Sequence, residues 1–285
     1  MWSVLAAFGA MLFWGLGDFL IQRSTRKAGD LISLGFIGVL GTIGLLPFVW
    51  NELTFDGVLF AALPLGLLGL LHFGTSWINF EALRKGKLAV IDVILEFELV
   101  VTLFFGIFIL GDVLTATQLM LIVPIFFGII LMAFRKFSHL KSRRFERGVV
   151  LAIAAALGLG LVDSLTGYSV KLTSPLLVIW VTWAIISLCS VVFILAGKKR
   201  RHVFPVIRKE WRLLGAMAVA DTIAWVLYAF VIDAHSVSIA TALTESYPAV
   251  ALILGVWINR ERLGWHQYLG ALLALGASVG LALTV

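Results

Sequence analysis

Apolar residues in this chain come in runs too long for the interior of a soluble domain. A helix needs about 20 mostly apolar residues to cross the hydrocarbon core of a bilayer. Ten such runs can be walked off, at about 2–22, 31–50, 58–80, 88–110, 115–134, 148–170, 174–196, 212–233, 236–258 and 265–285. Together they take up most of the 285 residues, so no sizeable soluble domain is left over. Composition agrees: 61% of residues are hydrophobic, 13% are charged, and the mean hydropathy is +1.06. A soluble domain carries about 25% charged residues to cover its surface. A soluble enzyme and a disordered chain are both excluded on this ground, and an all-α integral membrane protein is expected.

The charges that remain are placed in one pattern. Twenty-one of the 22 Lys and Arg residues fall in the odd-numbered loops, and only Lys171 falls elsewhere. Cytoplasmic loops are the basic ones. The odd loops are therefore expected in the cytoplasm and both termini outside. Taken as prokaryotic, the chain is expected in the plasma (cell) membrane as a multi-pass protein. The formal net charge of +6 then reports orientation in the lipid bilayer and not nucleic-acid binding. Trp2, Trp50, Trp211, Trp257 and Trp265 near run ends fit an aromatic belt. Cys189 is the single cysteine, so no internal disulfide is expected. The N-terminus lacks a basic segment and does not read as a cleaved signal peptide.

The chain also divides in two. Residues 136–147 form a basic linker between 1–135 and 148–285, and an offset of 149 aligns the two sides. Glu96 then falls on Glu245, Leu99 on Pro248, Asp112 on Glu261 and Gln118 on Gln267. A unit with five crossings enters the membrane from opposite sides in its two copies. The expected fold is ten transmembrane helices as two inverted-topology five-helix repeats, an arrangement typical of secondary transporters.

The segments EALRKGKLAVIDVILEFELVVTLFFGIFILGDVLTATQ and AHSVSIATALTESYPAVALILGVWINRERLGWHQYLGALLALG carry a family resemblance. They resemble the two helix-4/helix-5 blocks of the EamA family, within the drug/metabolite transporter superfamily. Trp14-Gly15, with Arg23 eight residues after the glycine, is similar to its opening motif. The first block departs from the pattern, with Leu99 for proline and Asp112 for glutamate. The resemblance implies ten helices, secondary transport of small metabolites, and a central cavity lined by helices 1–4 and 6–9.

Seven acids lie inside the runs: Asp18, Asp92, Glu96, Glu98, Asp163, Asp221 and Glu245. A charge at the bilayer centre costs about 2.5–3.5 kcal/mol on insertion scales, so acids kept there face the bundle interior or water. Asp92 and Glu96 are four apart and should share a helix face, where two carboxylates do not both ionise in low dielectric. Thr241 and Glu245 occupy the matching face, and Pro248 beyond them frees a backbone carbonyl. Glu98 should point about 200° away from Glu96 at 100° per residue, near the inverted partner or another helix. His72, Ser76 and Asn79 make a polar stripe matched by Asp221, Trp225 and Tyr228. Helix 1 offers Trp14, Asp18 and Gln22, and helix 6 offers Asp163 and Gly167. Trp14, Trp77, Trp225 and Tyr247 are candidates to hold a cation over a ring face.

Gly35, Gly38, Gly41 and Gly44 recur every third residue in helix 2 and read as a close packing seam. The GASVG match at 276–280 sits inside an apolar run, not at a strand–helix turn, and is a chance match to the nucleophile-elbow pattern. No Walker-A, HExxH or metal-spaced Cys/His pattern occurs, so no cofactor is expected. The chain is thus expected to be no enzyme but a secondary transporter, working as an exporter. Its partner would be a small cationic, zwitterionic or neutral metabolite, with a proton or sodium as the coupling ion. The alternatives are a membrane-embedded lipid-modifying enzyme and a non-catalytic assembly partner.

Overall fold

The structure is a computed structural model that describes residues 1–53, 61–85, 91, 94–133, 144–197, 203–250 and 264–285. Among these residues the chain is helical, with no strand. The elements are α1 (Trp2–Ala28), α2 (Asp30–Val49), α3 (Ala62–Lys85), α4 (Phe97–Phe108), α5 (Ala116–Ala133), α6 (Arg144–Leu172), α7 (Pro175–Ala196), α8 (Val203–Ala234), α9 (Val237–Thr244) and α10 (Trp265–Ala282). Five described helices are long and apolar enough, by length and composition, to cross a bilayer. Leu12, Phe48, Leu70, Phe104 and Val192 are exposed on the bundle exterior, which suits contact with lipid rather than water.

Helix ends follow local chemistry and not the ends of the apolar runs. α1 continues five residues past Arg23 and stops at Gly29, whose φ of 90° is open to glycine alone at little cost. α8 begins well before the apolar run and bends at Glu210, where φ and ψ are −108° and 15°. Lys27 holds Glu210 there at 3.0 Å, and Arg84 reaches Asp30 at 3.2 Å, so these ion pairs join the basic ends of α1, α2, α3 and α8. At the opposite end Ser174 caps α7, accepting from Leu177 N, and donates to Glu52.

The offset of 149 has a mechanical meaning at the α5 and α10 starts. Gln118 Oε1 accepts from Thr115 N at 2.9 Å, and Gln267 Oε1 accepts from Gly264 N at 3.0 Å. Each glutamine reaches back to the residue before its helix, the reciprocal half of a capping box. Gln267 Nε2 also donates to Met132 O at 2.8 Å and ties α10 to α5.

Packing pairs the halves in a regular way. α1 packs on α8 and α6 on α3, while α2 packs on α7, α4 on α9 and α5 on α10. Small residues bring the backbones together. A Cβ added at Gly38 would lie 2.6 Å from Ser187 N, and one at Gly35 would lie 3.0 Å from Ser190 Cβ. The helix 2 glycines are thus a packing seam against α7, except Gly44, which faces open space.

Asp112, in the turn after α4, crosses to the other half. Its Oδ2 accepts from Ser238 N at 3.0 Å and Ser238 Oγ at 2.7 Å in the first turn of α9. Helix-start donors need such an acceptor, and losing one costs about 0.5–2 kcal/mol. Asp112→Ala is expected to lower stability by about 1–2 kcal/mol. Thermal unfolding of the purified chain in detergent checks this; an unchanged midpoint would remove the cap.

Candidate functional site

Two helices are interrupted at matched glutamates. Glu96 stands as the N-cap of α4 with φ and ψ of −60° and −14°, and Glu245 as the C-cap of α9 with −64° and −4°. Beyond Glu245 the chain turns through Ser246 and resumes helical geometry at 247–250. Pro248 accounts for the second break, because it offers no N–H and its ring clashes with the carbonyl four residues back. In the first half Leu99 stands where proline would, and its N–H bonds to Glu96 O, three residues back, at 3.3 Å. That tightened turn interrupts the helix without proline.

Glu98, expected near the inverted partner or another helix, joins Asp163 of α6 and Glu245 of the other half, with one carboxylate oxygen from each lying within 4.8 Å of the others. Asp163 Oδ2 accepts from Thr102 Oγ1 at 3.2 Å and Thr241 Oγ1 at 3.4 Å, and Thr241 shares a 2.5 Å hydrogen bond with Tyr228. Glu96, 1% exposed, packs beside Glu245. Three carboxylates this close repel strongly away from water, so the cluster favours protons or a cation among them. Asp92, expected beside Glu96, lies outside the described residues.

The cluster opens on a cavity of about 80 Å³ between α1, α2, α3, α7 and α8 and the broken segments. Asp18, Glu98, Asp221 and Glu245 line it together with His72, Asn79, Trp14, Trp183, Trp225 and Tyr247. Asp18 and Asp221 are near enough to repel, and the Tyr247 hydroxyl approaches Asp18. Trp14 packs on Trp225, Tyr228 and Tyr247 at centroid distances of 5.3, 5.1 and 6.3 Å. His72 lies 4.6 Å from Trp225 and 5.4 Å from Trp183.

The two stripes thus meet the same space, although Tyr228 is fully buried behind it and serves the Thr241–Asp163 network. Gln22 and Gly167 do not line the cavity; Gly167 faces Val237. Trp77 faces elsewhere, in an apolar groove near Phe73 and Phe193 at the basic end of the bundle. Trp183 and Thr102 are members that no motif marked. Ser278 of the GASVG match is buried in α10 and hydrogen-bonded to Ser246 at 2.6 Å.

A helical membrane bundle, with acids and aromatic rings around an interior cavity and two helices broken beside it, is the architecture of a membrane transport protein. The chain belongs to the EamA-like transporter family, whose pattern matches it twice, over residues 1–134 and 146–283. A crystal structure of a protein 16% identical in sequence aligns with 99% of this chain and 96% of its own, with a TM-score of 0.78. That likeness is one of fold. No curated protein matches the chain.

Proposed function

We propose that this multi-pass membrane protein is a secondary active transporter that exports a small cationic, zwitterionic or neutral metabolite by alternating access. The observation that carries the reading is the pair of helix breaks at Glu96 and Glu245 beside Glu98 and Asp163. Broken helices leave backbone groups free where a solute or ion can be bound, and they are tolerated at membrane depth only where they line a cavity or are buried in protein.

On this reading the chain crosses the plasma membrane ten times as two inverted repeats, 1–135 and 148–285, joined by the linker 136–147. Both termini lie outside. The symmetric packing of α1 on α8 and α6 on α3 supports the repeat. Trp14, Asp18, His72, Asn79, Asp221 and Trp225 face the solute; Tyr228 positions Asp163. Glu96, Glu98, Asp163 and Glu245 exchange a coupling proton, and the same oxygens would suit a sodium ion. Asp92 joins them from the sequence alone. The cavity is smaller than an ordinary ligand pocket of about 300–1,000 Å³, so loading requires helices to part.

The test uses proteoliposomes enclosing a pH-sensitive dye. Under an imposed pH gradient, a panel of amines, amino acids and sugars is added in turn. At least one solute is expected to move protons across the membrane and to lose its accumulation when the gradient is collapsed. Solute movement indifferent to both pH and sodium gradients would overturn the proposal.

A further inference from the structure

The polar inventory of the cavity is one-sided. Four carboxylates line it, with no Lys or Arg among the described lining residues. Among the described residues, Arg84 pairs with Asp30, and Arg23 lies over the Phe19 ring at 5.1 Å. Asp221 is 7% exposed and reaches the cavity with no hydrogen-bond or ion-pair partner among the described residues. A buried carboxylate in that position has no counter-charge among the described residues. Its neighbour Asp18 adds repulsion rather than relief.

The start of a half-helix is where a solute's own carboxylate would ordinarily dock. Here Glu96 stands at the N-cap position of α4 and Glu98 in its first turn, so that helix start already carries two acids and is unfavourable to a further carboxylate. Ring surfaces line the same cavity as the acids. Trp225 stands edge-on to Trp14 at 83° and to Trp183 at 81°, and Tyr247, beside Asp18, lines the cavity with them. Aromatic faces attract an ammonium within about 6 Å of the ring centroid.

We infer that the solute is an organic cation without a carboxylate, a small primary or quaternary alkylammonium, whose charged head sits between Asp18 and Asp221 against Trp225 and Trp14. The inference rests on the transport reading above and narrows its substrate class. It also divides the acids. Asp18 and Asp221 read the solute, while Glu98, Asp163 and Glu245 hold the coupling ion. Asp18 interacts electrostatically with Glu245, so a cation arriving at the first pair is felt by the second group.

The experiment titrates the full-length protein in detergent with tetramethylammonium, propylammonium, alanine, propionate and 1-propanol, reading tryptophan fluorescence. Both cations are expected to give saturable changes, and propionate and propanol none. Asp221→Asn should weaken cation binding about thirtyfold or more, as removal of one partner of a buried charge pair does. Trp225→Leu should weaken it about fivefold, and Trp225→Phe should restore most of the loss. If Asp221→Asn does not fold, Asp18→Asn is read in the same way. Unchanged cation affinity in the folded aspartate variant, or tighter binding of alanine than of propylammonium, would overturn the assignment. Cation binding without exchange of labelled cation across proteoliposomes would leave this site standing and remove the transport reading. Gradient-driven movement of a neutral solute by Asp221→Asn would do the reverse.

Discussion

Proteoliposomes carrying Glu245→Gln are expected to accumulate no more solute under an imposed gradient than protein-free vesicles do. The amide keeps the shape and most of the contacts of the carboxyl group, so the fold should survive. It cannot take up and release a proton, and it leaves Glu98 and Asp163 to face each other with a permanently neutral neighbour. On the proposed transport reading, a coupling ion held by the three oxygens within 4.8 Å would then lose a charged ligand. The thermal midpoint supplies the control: it should stay at or above that of the unsubstituted protein, because one source of like-charge repulsion is gone. Loss of transport with a retained midpoint assigns Glu245 to coupling. Full gradient-driven accumulation by a folded Glu245→Gln protein removes it from the mechanism. Such a split between activity and stability is common where acids are held in place for function.

The largest loss of stability is expected at the crossing of α5 and α10. A Cβ at Gly128 would lie 2.6 Å from Gly270 O and 2.7 Å from Ala274 N, and one at Gly270 would collide with Gly128 O and approach Met132 N at 2.8 Å. The obstacles are backbone atoms in helices, which cannot swing aside as a side chain can. Inserting volume into such a contact costs about 1–3 kcal/mol, occasionally more. Gly270→Val, which adds three carbons and a β-branch, is expected to destabilise the detergent-solubilised protein by about 3 kcal/mol and to broaden its size-exclusion peak. Gly44→Ala is the matched control, since a Cβ there meets nothing within 4 Å, and it should unfold within error of the parent. Equal midpoints for the two variants would show that the crossing yields more easily than its geometry implies.

Much of the architecture could be read from the chain. Alternation of apolar runs with basic loops located the helices, because burying twenty apolar residues in lipid leaves few other forms. The offset of 149 located Gln118 and Gln267, whose shared task as helix-start acceptors is local and survives changes in packing. Asp18, His72, Asp221, Trp225 and Glu245 lie together because the stripes they belong to keep helical period. Glu98 lies near the other half, as its step away from Glu96 implied, but the break at Glu96 was not legible. The angular arithmetic assumed a continuous helix, and Leu99 in place of proline hid the interruption at Glu96. Its match, Pro248, carried the missing signal in the other half. Trp77 did go astray. An aromatic residue one position from Ser76 shares its helix but not its face, and Trp77 faces the groove beside Phe193. Trp183 and Thr102 carried no mark because a tryptophan or threonine in an apolar run looks the same whether it meets lipid, helix or cavity. Helix ends were misplaced wherever polar residues continued a helix beyond the oil, as at Val203–Glu210.

The link from Asp112 to Ser238 has a kinetic side. It belongs to the turn of one half and the helix start of the other, so any rocking of the halves meets it directly. If the joint holds, it is an axle: displacement is smallest there and grows toward the basic loops. If it opens, the α9 start loses its acceptor in the intermediate, and the barrier to exchange rises by about the worth of one cap, 0.5–2 kcal/mol. Weakening the joint would then speed the conformational cycle while shortening the protein's life.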